Sequence, residues 1–582
     1  DVAEWQLAIE LLMEAHSWQQ HDHPMVQLYL WRCRAHCGLA EEAERHLLQL
    51  QTSQQIDLFE LGISLTEVNI LLGNLPRARD CLSRLADLRP GSIEHALLEL
   101  EIIRVQWFES GVLPPIQKCV KHHPESRRVL LKAANVYRRF CLYEESFSTF
   151  ARLFSLFPCS GRPVESYMKL LVNMSNLDEI RRVIASQPLL VPPVDLRLYE
   201  AECLIQLCRE PEAEQILSSM HRSQMSMFLQ SEIAWRRGDY ASVLDLRRQI
   251  YQSDPANPET QFPYADALLS TGQWKEAWPL YESRFYRSTS ASVIPNGIHP
   301  IASNQQPHAR RVLVFGEQGI GDTVMMASVL PDLLKVAAST TLFVQPRLAD
   351  WFSDALPDVR VLSTIDADEF QAMDSCYGLG SLPQYFRNAP SDCPGNPYLS
   401  IQSSELLNRW ENRLATLGEG PKIGIAWRGG RGFASERRSI PLLQLAPILS
   451  VDPSIHWINL QYQHDPDELA QASSELGVTI HHFDGIPVDM YQTAALTQSL
   501  DLVVTVQQTA LHVAGAVGTN AFVLLPLAPE WRYGSQGSQM PWYSSVELFR
   551  QSALDDWNGP IESVRGRLAS WLDQFASQNE AQ

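Results

Sequence analysis

The spacing of the apolar residues changes once along the chain and divides the sequence into two parts with different folds. From residue 1 to about residue 285, apolar residues recur at helical spacing with short breaks and no strand-like alternation. After residue 310, runs rich in β-branched residues alternate with amphipathic helical segments, beginning with "RVLVF" at 311–315. A series of helices is therefore predicted to precede an α/β region.

A spacing of about 34 residues recurs within the helical part. Gly238 and Gly272 are each followed by a polar residue, an aromatic residue and a helical segment, and Gly38 and Gly73 have a similar separation. This pattern resembles the tetratricopeptide repeat, in which a small residue lets the two helices of a hairpin pack closely. We predict roughly seven hairpins stacked as a solenoid over residues 1–285. A solenoid of this kind has a long concave face, which usually binds a peptide or protein. The alternative is that the repeats form a scaffold used only for oligomerisation.

Residues 286–309 are rich in Ser, Pro and Asn and are predicted to form a linker or a long covering loop. The strand-like runs that follow are separated by helices, which predicts two parallel, doubly wound sheets at 310–418 and 419–582. These runs are "RVLVF", "TTLFV", "VRVLS", "KIGIAW", "IHWINLQ", "VTIHHF", "DLVVTV" and "AFVLLP".

Ligands of such sheets bind beyond the carboxyl ends of the strands, so the residues there are candidate site residues. Glycines beside arginines suit close backbone approach to an anion, with guanidinium groups holding phosphate oxygens. The arginines could instead form a solvated face, and the histidine could be a packed or capping residue. The candidates are Gly319, Gly321 and Asp322 after the first strand, Arg428, Gly429, Gly430, Arg437 and Arg438 after "KIGIAW", Gln461 after "IHWINL", and Gln507, Gln508, Thr509 and His512 after "DLVVTV".

Several classes of site are disfavoured by the motifs. The glycine loop "GEQGIGD" lacks the spacing of a dinucleotide-binding loop and the Gly-Lys-Ser/Thr of a P-loop, so a dehydrogenase or kinase is not predicted. The triplets "DAD" at 366–368 and "DPD" at 465–467 do not follow convincing strand ends, so no metal site is predicted. The ten cysteines include no CxxC pair and fit buried thiols in a reducing cytoplasm.

Charge and hydropathy narrow the expected partners. The formal net charge of −20 disfavours a protein held by nucleic-acid phosphates or by an anionic membrane. No run of about eighteen apolar residues is present, and "DVAEWQLAIE" lacks the pattern of a signal peptide. We therefore expect a cytoplasmic location, no nucleic-acid partner and no stable membrane insertion.

The order of the motifs is more specific than any one of them. "GEQGIGDTVMMASVLPDL", "KIGIAWRGGRG", "RRSIPL", "SLDLVVTVQQTALHVAGAVG" and "LAPEWRYG" together resemble heptosyltransferase-like, family 9-like glycosyltransferases fused behind tetratricopeptide repeats. The resemblance is weak in the repeats and strong over residues 311–551. It implies a GT-B fold, two facing Rossmann-like domains with the active site in the cleft. Some repeat-fused bacterial members of this family modify flagellin or other surface proteins.

The resemblance also implies roles for individual residues. Asp322 matches the acid proposed as general base, which would accept the proton of an acceptor hydroxyl during an inverting single displacement. The second domain would hold the donor nucleotide. Leaving-group charge would be met by residues already named: Arg437 or Arg438, the helix N-terminus at Gln508 and Thr509, and His512.

One departure from the family concerns the donor sugar. Heptosyltransferases usually have Asp-Thr where this chain has Gln507 and Gln508, so ADP-heptose does not carry over directly. A CMP-activated nonulosonate, which several arginines would suit, or a UDP- or dTDP-sugar stays open. The donor is a substrate, and no cofactor is expected. The expected acceptor is a Ser or Thr hydroxyl of a protein, with flagellin as the specific candidate; a lipid-linked or lipopolysaccharide sugar, or a non-catalytic adaptor, are the alternatives.

Overall fold

We describe the chain from a computed structural model that covers residues 2–18, 23–72, 74–105, 111–157, 162–186, 195–287, 306–364, 373–430, 437–462 and 466–580. Most of the predicted linker at 286–309 and the repeat residue Gly73 lie outside these ranges. The chain forms two compact units, and the first ends at Cys203. The sequence places the end of the repeats at residue 285, whereas this division falls inside a helix of the repeat series.

The first unit is helical. Helices α4, α6 and α8 begin after Asp57, Ser92 and Ser126, whose side chains accept a backbone N–H of the first turn. The bounds are α1 (Val2–Trp18), α2 (Pro24–Arg34), a π-helical turn (Ala35–Leu39), α3 (Ala40–Leu50), α4 (Leu58–Leu71), α5 (Leu75–Leu88), α6 (Ile93–Arg104), α7 (Leu113–His122), α8 (Arg127–Arg139), α9 (Tyr143–Leu156), α10 (Arg162–Asn173), α11 (Leu177–Ser186) and α12 (Arg197–Gln206), which continues into the second unit.

The second unit begins with the end of the repeat series. It contains α13 (Glu210–Ser218), α14 (Gln224–Arg236), α15 (Tyr240–Ser253), α16 (Pro258–Ser270), α17 (Trp274–Tyr281) and a 3-10 turn (Glu282–Phe285). Within the described residues, α4 to α17 follow one another as seven consecutive pairs, and α1 to α3 precede the first of these pairs. The pairs α14–α15 and α16–α17 pack closely against each other.

The repeat residue between paired helices adopts a left-handed backbone. Gly238 has a φ of +72° and Gly272 a φ of +80°, so glycine is needed here for the turn rather than for close helix packing as the sequence indicated. Cys141, Ser175 and Cys208 occupy the same place in earlier pairs with φ values of 57°, 53° and 58°. The turn geometry therefore persists where the glycine is lost.

The first α/β sheet follows directly. Its strands are β1 (Arg311–Phe315), β2 (Ser339–Phe343), β3 (Arg360–Leu362) and β4 (Ser375–Gly378), all parallel, in the order β3-β2-β1-β4. The helices are α18 (Ile320–Met326), α19 (Leu330–Val336), α20 (Pro346–Ala355), α21 (Pro383–Phe386) and α22 (Ser404–Ala415). This order has its topological switch point between β1 and β4, as in a Rossmann-like half.

The second sheet repeats this order and extends it. Its order is β10-β11-β9-β8-β5-β6-β7, parallel except for the pair β10–β11. Strands β8 and β9 are buried along their whole length, as expected for central parallel strands. The elements are β5 (Lys422–Ala426), α23 (Ala446–Leu449), β6 (His456–Asn459), α24 (Pro466–Leu476), β7 (Ile480–His481), α25 (Met490–Gln498), β8 (Leu502–Val506), α26 (Thr509–Val517), β9 (Ala521–Leu525), β10 (Gln539–Met540), β11 (Tyr543–Arg550) and α27 (Asn558–Glu580).

The predicted fold class is confirmed: helical repeats precede two Rossmann-like sheets of the GT-B kind. Within the described residues, no helix is both long and apolar enough to cross a membrane. The second unit contains the five last helices of the repeat series together with both sheets. These helices therefore belong to the same compact body as the candidate site.

Candidate active site

Asp322 lies in the first turn of α18, immediately beyond the glycine loop that follows β1. Its carboxylate accepts the backbone N–H of Gly319, and a Cβ on Gly319 would come within 3.2 Å of Asp322 Oδ2. A carboxylate in the first turn is stabilised by the positive end of the helix dipole. The loop thus folds back on the acid and fixes its position.

Gly321 lies at one of the places where the two α/β halves touch. A Cβ at this position would lie 3.0 Å from His512 Cδ2 and 3.4 Å from Thr509 Oγ1. Thr509 and His512 belong to α26, which follows the carboxyl end of β8. The structure therefore brings together the residues that sequence reasoning selected at two separate strand ends.

Two charged residues that the sequence analysis did not select complete this region. Arg532 contacts Asp322 Oδ1 through Nη2 and Glu530 Oε2 through Nη1, the latter at 2.5 Å. Glu530 Oε1 then accepts a hydrogen bond of 2.6 Å from Arg438 Nη1. Carboxylates and guanidinium groups thus alternate from the glycine loop to the predicted donor loop. The only sequence signal was the aperiodic stretch "PEWRYG" after a strand end.

Burial and the neighbouring charges together set the pKa values in this chain of charges. Desolvation raises the pKa of Asp322, and the neighbouring Arg532 opposes this rise. For Glu530, desolvation acts in the same upward direction, but Arg532 and Arg438 outweigh it and leave its pKa lowered. The pKa of Arg532 is raised despite its burial, because Asp322 and Glu530 both face it.

His512 is a buried, neutral histidine. Its Nδ1 lies 3.1 Å from the hydroxyl of Tyr543, and its Nε2 lies 3.5 Å from the hydroxyl of Tyr533. Desolvation, with a further contribution from Arg532, lowers its pKa to about 3. A contact of His512 with phosphate or sugar stays a prediction, and in this arrangement it would be made without a positive charge.

The predicted donor loop after β5 holds Arg438 close to its backbone. A Cβ on Gly429 would come within 2.4 Å of Arg438 Cγ, and Arg438 Nε donates to the carbonyl of Gly429 at 2.9 Å. Gly430 has a φ of +75°, and its Cβ position would lie 2.8 Å from Arg438 Nη2. Both glycines therefore make room for this side chain. Arg428 instead pairs with Glu468 at 2.8 Å.

Three glutamines were predicted to contact the donor, and their hydrogen bonds differ. Gln461 Oε1 accepts the backbone N–H groups of Trp427 and Arg428 at 3.0 and 2.8 Å, so this side chain fixes the donor loop to the end of β6. Gln508 precedes α26 and donates to Thr505 Oγ1 at 3.3 Å. Gln507 is buried, and its Oε1 has no hydrogen-bond partner. Gln507 is the one best placed to gain a ligand.

Arg437 lies apart from this group. Its Nη2 donates to the carbonyl of Ile205 at 2.9 Å and contacts Cys208 Sγ at 3.6 Å, so it joins the donor loop to the helical part of the second unit.

Of the two acidic triplets, residues 366–368 and Asp465 lie outside the described residues. No group of three potential metal ligands occurs within the part of the chain that is described.

The last helical hairpin supports both sides of the region. Trp531 lies with its ring centroid 5.8 Å from Trp278 and 6.0 Å from Tyr281, which places the Glu530–Arg532 loop against α17. Gln318 of the glycine loop donates to the hydroxyl of Tyr281 at 2.9 Å. Glu317 forms a buried pair with Arg284, at 2.8 and 2.6 Å. The glycine loop and the Arg532 loop thus share one support.

Comparison with curated proteins finds Protein FlbA of Caulobacter vibrioides (strain ATCC 19089 / CIP 103742 / CB 15), with 32% identity over 349 residues. The match covers 56% of this chain and 57% of FlbA, so the chain spans little more than half the length of this relative. No protein-family model matches.

Solved structures with a similar fold include a glycosyl transferase of family 9 from Veillonella parvula, with 13% identity, a TM-score of 0.36 and coverage of 46% of this chain and 99% of that chain. The ADP-heptose lps heptosyltransferase II of E. coli has 13% identity and a TM-score of 0.34, and the match covers 46% of this chain and 99% of that chain. The O-GlcNAc transferase of Thermobaculum terrenum has 11% identity and a TM-score of 0.27, and the match covers 90% of this chain and 94% of that chain. We assign the architecture from the helices and sheets of this chain itself, since these TM-scores are low.

Proposed function

We propose that the chain is an inverting, metal-independent glycosyltransferase that moves a sugar from a nucleotide-sugar to a hydroxyl group. One observation carries the proposal: Asp322 stands at a helix N-terminus in one Rossmann-like half, and the adjacent Gly321 lies against Thr509 at the N-terminus of α26 in the other. The first position suits a general base, and the second suits an anionic leaving group.

The reaction would proceed in one displacement. The acceptor oxygen forms a bond to the anomeric carbon while its proton passes to the Asp322 carboxylate. The bond from that carbon to the phosphate oxygen breaks, and the electron pair leaves with the nucleotide. The backbone N–H of Thr509 is a candidate donor to the leaving phosphate, and the partner-free Oε1 of Gln507 is a candidate acceptor for a hydroxyl group of the donor sugar.

The donor and the acceptor are proposed by chemical class. The pair Gln507–Gln508 replaces the acid expected of ADP-heptose enzymes, which supports a carboxylated sugar such as a CMP-nonulosonate over a neutral one. The seven helical pairs support a protein acceptor with a Ser or Thr hydroxyl. By the family resemblance, flagellin is the first acceptor to test, and the reaction would take place in the cytoplasm.

The test compares Asp322→Asn with Asp358→Asn, an exposed aspartate of the same half. Thermal shifts with CMP, CDP, UDP, ADP and dTDP first identify the nucleotide, because a bound ligand raises apparent stability. With the matching nucleotide-sugar, Asp322→Asn should reduce transfer to flagellin by about 100-fold or more and keep the nucleotide-induced shift. Asp358→Asn should keep both.

Two outcomes would contradict the proposal. Transfer by Asp322→Asn at the wild-type rate would remove the general-base role. Absence of a thermal shift with all five nucleotides would remove the donor site, whatever the behaviour of the acid.

A further inference from the structure

We infer that Arg532 is a positioning residue for Asp322, and that Glu530 restrains Arg532 in this role. The inference rests on the proposed function, because it concerns the residue that would act as general base. It assigns a part in the reaction to the loop between β9 and β10, whose charged residues the sequence analysis did not select.

The geometry of the loop supports this assignment. One guanidinium group bridges two carboxylates, with Nη2 on Asp322 and Nη1 on Glu530. The side chain of Arg532 is 11% exposed, whereas ordinary surface ion pairs are solvated and contribute little. Glu530 is held from its other side by Arg438 at 2.6 Å. Arg438 therefore fixes Glu530, and Glu530 in turn directs the guanidinium group of Arg532 at Asp322.

The backbone of the loop is also anchored. The 3-10 turn Trp531–Tyr533 buries Trp531 among the rings of Trp274, Trp278, Tyr281 and Trp542, at centroid distances between 5.8 and 6.5 Å. Rotation of the loop away from Asp322 would expose these aromatic rings. Burial of apolar area thus holds Arg532 in contact with the acid without any ligand.

The charged and titratable groups that face Asp322 come from several elements. Arg532 and Glu530 belong to the loop after β9, His512 to α26, Tyr533 to the 3-10 turn and Tyr543 to β11. His512 is neutral, and burial raises the pKa of both tyrosines, so they carry no charge near neutral pH. Arg532 and Glu530 are therefore the charges whose removal should change the proton affinity of Asp322.

Loss of Arg532 and loss of Glu530 should shift the pKa of Asp322 in opposite directions. Loss of Arg532 removes a cation that favours the charged form of Asp322, so the pKa of the acid should rise. Loss of Glu530 removes an anion that disfavours this form, so the pKa should fall. A general contribution to folding would give no such pair of opposite shifts.

The experiment follows Asp322 itself in the full chain. The pH dependence of the infrared carboxyl bands, taken as the difference between each protein and the same protein carrying Asp322→Asn, gives the titration midpoint. Arg532→Gln should raise the midpoint by about one unit or more, and Glu530→Gln should lower it. Arg567→Gln and Glu547→Gln, which break an ion pair of 3.0 Å elsewhere in the second sheet, should leave it unchanged.

Sugar transfer provides a second readout with the donor found in the preceding test. The acidic limb of the pH profile should move to higher pH in Arg532→Gln and to lower pH in Glu530→Gln. Arg532→Lys should restore part of the wild-type midpoint. If Arg532→Gln does not fold, Glu530→Gln retains Arg532 and tests the inference by its downward shift.

The outcomes separate this inference from the proposed function. An Asp322 midpoint that is the same in both site variants would overturn the inference, even if transfer depends on Asp322. Opposite midpoint shifts together with normal transfer by Asp322→Asn would overturn the proposed function and support the control of Asp322 by this pair.

Discussion

The burial of the ion pair between Arg284 and Glu317 predicts a large loss in the free energy of unfolding when Arg284 is replaced. Arg284 is 2% exposed and Glu317 is 3% exposed, and two hydrogen bonds join them. Arg284→Met removes these bonds together with those to Ser381 Oγ and Glu282. Glu317 would then keep a hydrogen bond from the backbone N–H of Gly380, inside a buried site. Such a loss costs about 3 to 5 kcal/mol.

The matched control is the pair of Arg311 with Asp374. Arg311 donates from its guanidinium group to both oxygens of Asp374, but the two side chains are 55% and 39% exposed. Arg311→Met should therefore cost far less stability than Arg284→Met. Both proteins carry the same substitution near the same sheet, so the difference between them measures the effect of burial.

Urea denaturation followed by tryptophan fluorescence suits this comparison, because Trp274, Trp278 and Trp531 lie in the second unit near Arg284. Glu317→Gln and the double variant complete a cycle, and the double variant should lose less than the sum of the single losses. Equal costs for Arg284→Met and Arg311→Met, or additive losses in the cycle, would refute the reasoning.

Two further predictions concern the turns and the buried histidine. Ser175→Gly should be about 1 kcal/mol more stable than Ser175→Ala, since Ser175 has a φ of 53° and glycine relieves the left-handed strain; equal urea midpoints would contradict this. His512 has a pKa lowered to about 3, below its unfolded value near 6.5, so its contribution to stability is present above pH 6.5 and is lost as the pH falls toward 3. The melting temperature of the wild type should therefore fall more steeply between pH 7 and 5 than that of His512→Asn, and parallel curves would show that His512 titrates normally.

Much of the fold was predictable because it depends on local periodicity. The helical series, the strand ends and the division into two sheets follow from the spacing of apolar residues. Strands β4, β10 and β11 were missed: "SCYG" is short and contains a glycine, β10 has only two residues, and "YSSVELFR" has two serines after its first residue. Each pairs with a neighbour in its sheet, and the local sequence does not report this pairing.

The site was predictable only in part for a similar reason. Asp322, Thr509 and His512 each follow the carboxyl end of a predicted parallel strand, so they could be selected from the sequence. Arg532 and Glu530 lie in an aperiodic loop whose position is fixed by distant aromatic rings. Arg437 and Arg438 are adjacent in sequence, yet the structure sends one to Ile205 and the other to Glu530. Neighbouring arginines give no local signal of such a divergence.

The attachment of the last hairpin also limits how such a protein can change in length. A repeat series can gain or lose pairs where each contacts only similar pairs. The pair α16–α17 does not meet this condition, because its tryptophans and Arg284 are matched to one loop and one glutamate of the α/β part. Duplication there would displace both, whereas duplication before α12, whose Ile205 binds Arg437, would leave them in place. We expect lineages of this architecture to vary in repeat number at the amino-terminal side and to keep the terminal hairpin constant.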